Sequence, residues 1–381
     1  MIANYSKLPG TSTTIFSVMS QLAAEHNAIN LSQGFPDYDC DPRLIDFVAE
    51  AMKSGHNQYA PMPGLPALRE LIADKVNRQH GSDYHPDTEI TVTAGGTEAI
   101  FTALTACIQP GDEVIIFEPA YDAYAPAIRL LGGLVKSYEM APPEYHIDWE
   151  MVRKLFTSST KMIILNSPHN PTGMILRDSD IQSLIKLIKG TDIIILSDEV
   201  YEHLVYDGET HQSIALYPEL KERSFIVASF GKLLHATGWK IGYCLAPEKL
   251  MKEFRKVHQF NVFSVNTPMQ VGIAHYLKDP ATYGGLSAFF QQKRDLFRAL
   301  LEQTRFKLLP CQGSYFQCVT YGHFSEEEDM VMARRLVTDF GVASIPVSAF
   351  YIKNTDHNVL RFCFAKKQET LEKSVERLMK L

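Results

Sequence analysis

Only two tryptophans and six cysteines occur in 381 residues, and no run approaches the roughly 18 apolar residues needed to cross a bilayer as a helix. The cysteines (Cys40, Cys107, Cys244, Cys311, Cys318, Cys363) contain no Cys-x-x-Cys pair, and the 13 histidines form no His-Glu-x-x-His or comparable cluster. Neither a disulfide framework nor a metal site is expected, and the thiols read as buried and free, which suits a reducing, cytoplasmic setting. A basic excess is missing too. The 37 Lys and Arg residues stand against 44 Asp and Glu, a net charge of -7 and the wrong sign for a general nucleic-acid binder. The opening stretch, Met1-Ile2-Ala3-Asn4-Tyr5-Ser6-Lys7, has no basic segment followed by an apolar core, so no secretory or transit peptide is expected.

What is present is an ordinary globular composition, 45% hydrophobic and 21% charged, with 22 Gly and 20 Pro. At roughly 150 residues per domain the length suggests two or three domains. Leu44, Phe47, Val48, Ala51 and Met52 recur at helical spacing and predict one helix face. Pro66 opens a second helix, with Leu68, Leu71, Ile72 and Val76 inward and Gly81 as its stop. Compact apolar runs then predict strands at 90–93, 113–117, 161–165, 193–196, 225–229 and 241–245, separated by stretches long enough for crossovers. That alternation predicts an α/β unit with a largely parallel sheet. After about residue 280 the rhythm changes to α+β, with helices over 286–304, 326–340 and 369–379 and strands near 315–319 and 359–364.

Four of the first strands run directly into chemistry-bearing residues. Thr91-Val92-Thr93-Ala94-Gly95-Gly96-Thr97 passes through glycines into a helix, whose free N–H groups could meet a phosphate. Asn166-Ser167-Pro168-His169-Asn170-Pro171-Thr172-Gly173 is a rigid loop at a strand's end. The acidic pair Asp198-Glu199, with Tyr201 beyond it, would serve as metal ligand, helix cap or partner of a cationic ring nitrogen. Ser229-Phe230-Gly231-Lys232 offers an amine that burial would make nucleophilic, and Lys240 follows. Taken singly, each is ordinary turn chemistry. In one chain they would converge on one edge of the sheet, where open α/β folds bind ligands.

In this order the motifs resemble the class I and II aminotransferases of fold type I, which depend on pyridoxal 5′-phosphate (PLP). Asn30-Leu31-Ser32-Gln33-Gly34-Phe35-Pro36-Asp37, Asn57-Gln58-Tyr59-Ala60-Pro61 and Pro168 to Gly173 are similar to the branch holding kynurenine/glutamine transaminase K enzymes and bacterial methionine aminotransferases. The resemblance implies a large PLP-binding domain at 41–280, with a mostly parallel seven-stranded sheet flanked by helices. A smaller α+β domain would be built from both chain ends, 1–40 and 281–381. It makes Lys232 the Schiff-base lysine and general base, Asp198 the partner of the pyridine nitrogen, and Tyr201 and Asn170 the donors to the phenolic oxygen. Gly95, Gly96, Thr97, Ser229 and Lys240 would hold the phosphate, with Lys240 standing where many relatives carry arginine. Tyr121 would stack on the ring. Tyr59 would reach the neighbouring subunit's phosphate, which implies a homodimer.

For the substrate, the resemblance implies that Arg361 clamps the α-carboxylate, with Asn170 beside it and Gly34 leaving room. Aspartate-type relatives carry a second arginine just before the segment Ser264-Val265-Asn266-Thr267-Pro268. Here His258-Gln259-Phe260-Asn261-Val262-Phe263 stands instead, and the nearest upstream arginine is Arg255. The expectation is therefore ping-pong transamination between a neutral amino acid (methionine, aromatic, glutamine or kynurenine type) and a 2-oxo acid. Phe16, Tyr121, Phe260 and Phe263 are candidates for an apolar pocket. The alternative on the same scaffold is β-elimination from cysteine S-conjugates. A non-catalytic regulator of this type would carry an added DNA-binding domain, for which about 30 residues before Gly34 leave no room.

Overall fold

A computed structural model describes residues 6–381; residues 1–5, which include most of the stretch read for a leader peptide, lie outside it. Seven strands form the central sheet: β1 (Ile90–Thr93), β2 (Glu113–Glu118), β3 (Leu134–Glu139), β4 (Thr160–Asn166), β5 (Ile194–Asp198), β6 (Ser224–Ser229) and β7 (Gly242–Leu245). Their spatial order is β1-β7-β6-β5-β4-β2-β3. Neighbours are parallel except that β7 runs antiparallel to both β1 and β6.

All six strands expected from the apolar runs form, with ends moved by at most two residues. Strand β3 was not expected. It lies at the sheet edge, where Leu134 is exposed and Lys136, Ser137 and Glu139 interrupt the apolar run that a doubly covered strand would show. Alternate side chains of the inner strands enter two cores. Ile115, Phe117, Ile163, Leu165, Ile195 and Ile226 join one. Val114, Ile116, Met162, Ile164, Leu196 and Val227 join the other. Strand alternation places these cores on opposite faces of the sheet.

Helix Pro42–Lys53 starts where Asp41 accepts the Arg43 N–H at 2.8 Å and Pro42 takes the first turn. It buries Leu44, Val48 and Ala51, but Phe47 and Met52, expected on the same inner face, are exposed. The apolar stripe is thus wider than what this chain covers. Helix Pro66–His80 buries Leu68, Ile72 and Val76 and ends at Gly81, whose φ of 59° is the left-handed cap conformation. Helix Thr267–Leu277 packs against helix Pro42–Lys53 through Gly272, where an added Cβ would lie 2.9 Å from the Val48 nitrogen and 3.0 Å from its Cα. Because backbone atoms cannot yield as a side chain does, Gly272→Ala should lower stability by about 2–3 kcal/mol in a denaturant titration.

A second sheet carries β8 (Lys307–Leu308), β9 (Phe316–Thr320), β10 (Ile345–Pro346) and β11 (Val359–Cys363), all antiparallel in the order β10-β11-β9-β8. Helices Leu286–Leu301, Asp329–Phe340 and Gln368–Leu378 accompany it. Residues Ile29–Asn30 pair in parallel with Val342–Ala343, so the two ends of the chain are hydrogen-bonded together. Strand β9 begins one residue later than expected, which leaves Tyr315 in the turn before it. No described helix is long and apolar enough to cross a membrane.

Candidate active site

One edge of the central sheet collects the chemistry. Strands β1, β4, β5 and β6 run in one direction, so Thr93, Asn166, Asp198 and Ser229 end side by side. The reversed strand β7 starts at that edge, which brings Lys240, two residues before it, to the same place. Here lies a cavity of about 270 Å³, reached also by Gly34 from the N-terminal segment and Arg361 from β11. The expected convergence is therefore real, and the lone antiparallel strand is what recruits Lys240.

Lys232 stands in the one-turn helix Phe230–Leu233 that follows β6. Its Nζ donates to the Tyr315 hydroxyl at 2.8 Å and to the Gly34 carbonyl at 3.2 Å. Burial pushes its amine down to about 8; Lys240 and Arg361 push the same way, against Cys363 and Asp198. About a tenth of the amine is thus unprotonated at pH 7 and about half at pH 8, as a nucleophile or base requires.

The acidic pair at the end of β5 divides. Asp198 faces the cavity, accepting from the Tyr124 hydroxyl at 2.6 Å and the Val200 N–H at 3.3 Å. Burial raises its carboxyl to about 6, against those hydrogen bonds and the Lys232 charge. Glu199 points elsewhere, accepting from the Ser197 hydroxyl at 2.9 Å and the Ile214 N–H at 3.0 Å, with His211 2.8 Å away. Among the described residues no group of three or more His, Cys, Asp and Glu is placed to hold a metal ion.

Arg361 is wholly buried. One terminal nitrogen donates to Asn170 Oδ1 at 2.7 Å, the other to the Ser32 carbonyl at 2.6 Å, while Nε has no partner. Its guanidinium lies 3.9 Å from the Phe316 ring centroid and 5.2 Å from that of Phe16. An anion entering the cavity would find a desolvated, fork-shaped donor with one nitrogen still unpaired. Asn166 holds the loop beneath: its Oδ1 accepts the Asn170 N–H at 2.8 Å, and its amide donates to the Asp198 carbonyl at 2.9 Å. Buried His169, pushed down to about 3 by burial, shares a 2.7 Å hydrogen bond with Thr172 and serves the loop's shape.

At the opposite end, Gly95 has a φ of 83° and precedes helix Gly96–Cys107, whose first N–H groups point into the cavity mouth. Gly95 is the N-cap. A Cβ on Gly95 would come within 3.1 Å of Lys240 Nζ and would crowd that ammonium beside the helix start, while the φ of 83° is itself one that favours glycine. Gly96, Thr97, Ser229 and Lys240 line the cavity, and Gly95 stands just behind them. Tyr121 lies across the middle, its hydroxyl 3.4 Å from Thr97 Oγ1, and Tyr201 closes the wall beneath Lys232.

Two residues expected in the apolar pocket, Phe260 and Phe263, are not brought in, and Tyr59, expected at a neighbouring subunit's site, lies outside this chain's cavity. Tyr59 is 81% exposed and packs edge-on against Phe263, and Phe260 is 87% exposed. Phe260 and Phe263 thus do not line this chain's cavity, because the last turn of helix Glu248–Asn261 and the segment after it turn these rings to the outer surface. Phe16 does line it, together with Phe35, Ile100 and Phe316. Arg255 is far from the cavity, bonded to Thr91 Oγ1 and to the Asp87 and Ile90 carbonyls at 2.7–2.9 Å. Tyr315 and Tyr124, which touch Lys232 and Asp198 directly, were missed; as aromatics beside apolar runs they carry no sequence signal that separates them from core residues.

Comparison with known proteins agrees with this geometry. Residues 26–378 match the family model for aminotransferase class I and II. The chain is 47% identical over 377 residues to methionine aminotransferase of Escherichia coli (strain K12), spanning 99% of this chain and 98% of that one. It is 33% identical to kynurenine–oxoglutarate transaminase 1 of Rattus norvegicus, spanning 98% and 97%. A solved Escherichia coli structure, reported to have a methionine aminotransferase function, superposes with a TM-score of 0.97 at 46% identity over all of both chains. With a cavity that joins an activated lysine, a buried carboxylate and a buried arginine, and with similarity along its whole length, the chain belongs to the class I and II aminotransferases and has their fold-type I architecture.

Proposed function

We propose that the cavity binds PLP and that the enzyme moves an amino group between a neutral amino acid, of methionine, aromatic, glutamine or kynurenine type, and a 2-oxo acid. The observation that carries this reading is the placement of Lys232, Asp198 and Arg361 around one cavity of about 270 Å³. The donor set suits the cofactor. The Gly95-Gly96-Thr97 helix start, Ser229 and Lys240 offer N–H, hydroxyl and ammonium donors to a phosphate, and the absence of a side chain at Gly95 keeps the space beside Lys240 open. When bound, PLP supplies an aldehyde for covalent capture of amines and a ring that accepts electrons.

Lys232 would be the amine that holds the cofactor's aldehyde carbon, and once displaced it would take the proton from the donor's Cα and pass it on. Its pKa of about 8 suits both tasks. Asp198 would keep a proton on the ring nitrogen, a role its burial and its Tyr124 hydrogen bond support. Tyr201 and Asn170, which line the same cavity, would offer donors to the ring's phenolic oxygen, and Tyr121 would stack on the ring.

Arg361, supported by Asn170, receives the α-carboxylate. Arg255, committed to the backbone of residues 87 and 90, is not free to bind a distal carboxylate, which supports a neutral donor. The relatives named for methionine and kynurenine support it further. Arg361→Lys replaces a fork by a point charge and should raise the KM for amino acids about tenfold to a hundredfold, with a smaller change in kcat, in steady-state assays.

The exposed Tyr59, Phe260 and Phe263, together with Phe47 and Met52, support a homodimer in which Tyr59 reaches the neighbouring site. The pairing of the two chain ends supports a small domain of residues 1–40 and 281–381 on a large domain of 41–280. All six cysteines are free, which supports a cytoplasmic setting.

The test is reconstitution with PLP, borohydride reduction and peptide mass mapping, followed by a panel of amino acids assayed for loss of the visible absorbance. Label on Lys232 and turnover of methionine or aromatic donors are expected. A label elsewhere would sink the cofactor assignment, and faster turnover of aspartate or glutamate would sink the donor class.

A further inference from the structure

Tyr315 has no part in the roles above, yet it makes the shortest contact to the reactive amine. Its hydroxyl donates to the Gly34 carbonyl at 2.6 Å and accepts from Lys232 Nζ at 2.8 Å, while Nζ also donates to that same carbonyl at 3.2 Å. A phenol has one proton to give. With that proton spent on Gly34, the oxygen can only accept from the amine, so the lysine nitrogen faces two acceptors and no competing donor.

The hydroxyl is held by the fold, not by the lysine. Ser314 takes a φ of 60°, its N–H donates to the Leu204 carbonyl at 2.9 Å, and the Tyr206 hydroxyl donates to its carbonyl. The Tyr315 carbonyl accepts the Phe364 N–H at 3.0 Å. The ring stands edge-on to Tyr201, with centroids 5.0 Å apart, and 5.9 Å from Phe290. Gly34 permits the approach, since a Cβ there would lie 3.2 Å from Tyr315 Cε2 and 2.7 Å from Phe316 Cζ.

We infer that Tyr315 is a positioning residue: with the Gly34 carbonyl it forms a dock that receives the Lys232 amine whenever that amine is not covalently engaged, and that favours its proton-carrying form. The inference rests on the reading of Lys232 as the covalent lysine. During turnover the dock keeps the displaced amine beside the donor's Cα and gives the newly formed ammonium two acceptors. The other groups facing Nζ are Asp198 from β5, Lys240 before β7, Arg361 and Cys363 on β11, and the Tyr201 ring at 5.5 Å. Two of these cations disfavour a charged lysine, so the loss of an acceptor leaves the ammonium less supported.

The experiment compares wild type, Tyr315→Phe and Tyr206→Phe. On cofactor-free protein, competitive acylation read by mass spectrometry follows the titration of Lys232 itself. Tyr315→Phe should move the midpoint down by about half a pH unit or more. In the PLP-loaded enzyme it should lower kcat about tenfold, the worth of one hydrogen bond to a charged group, with KM changed far less. Tyr206→Phe removes a bond to the same turn but leaves the Tyr315 hydroxyl in place, so its midpoint should match wild type.

An unmoved or raised midpoint in Tyr315→Phe overturns the inference, as does an equal shift in Tyr206→Phe, which would assign the effect to the turn. Borohydride mapping on all three proteins separates this outcome from failure of the cofactor reading: a label absent from Lys232 in wild type would refute that reading, whereas the acylation titration stands without PLP.

Discussion

Lys232→Ala should lose transamination by at least about 10⁴-fold, because one substitution removes both the covalent anchor of the cofactor and the general base, the latter alone being worth about 10²–10⁴. The alanine protein should still bind PLP through the phosphate seat at Gly96, Thr97 and Lys240, but without the borohydride-reducible link. Fold should be preserved, since the Lys232 side chain ends in the cavity and its amine bonds no more than one hydroxyl and one carbonyl. A small primary amine added to the solution should restore part of the rate, with an efficiency that follows the amine's size and basicity. That rescue separates lost chemistry from lost packing. Full turnover in Lys232→Ala would end the proposal.

Asp198→Asn should act in opposite directions on stability and on activity. In the cofactor-free protein, burial raises the carboxyl from 3.8 to about 6. Below about pH 4 both folded and unfolded chains carry the proton, and the group costs nothing. As pH rises from 3.8 to about 6 the unfolded chain releases its proton first, so the native state is progressively disfavoured. Above that window the full cost, on the order of 2–3 kcal/mol, is present. Asparagine keeps an acceptor for the Tyr124 hydroxyl but carries no charge. The cofactor-free variant should therefore melt a few degrees above wild type at pH 7–8, with the gap closing towards pH 4. With PLP and substrates the same change should lower kcat/KM by about 10³-fold or more, since a neutral amide cannot hold a proton on the ring nitrogen. A variant that melts earlier than wild type at pH 8 would contradict the stability argument, and near-normal kcat/KM would contradict the role.

Much of the sheet was legible because strands covered on both faces must be apolar throughout, as Val114 to Phe117 and Ile163 to Leu165 are. The edge strand β3 escaped notice for the same reason, since half its surface meets water. Helix stops were legible where a backbone angle demanded glycine, as at Gly81. The inward face of helix Pro42–Lys53 was overread, because apolar spacing shows which side is greasy and not what covers it.

The residue kinds at the strand ends were settled by the sequence itself: a lysine after β6, a carboxylate closing β5, a glycine-led helix after β1 and an asparagine loop after β4 follow from local order along the chain. Tertiary structure decided how those groups act. Strand reversal at β7 carries Lys240 to the common edge, and strand alternation turns Asp198 into the cavity and Glu199 out of it. Burial moves the Lys232 amine to about 8 and the Asp198 carboxyl to about 6. Tyr315 meets Lys232 across 83 positions of sequence and Gly34 across 281. Local pattern records the backbone's needs, whereas dielectric surroundings and hydrogen-bond partners come from segments far apart in the chain, and these set whether a lysine is a surface charge or a nucleophile.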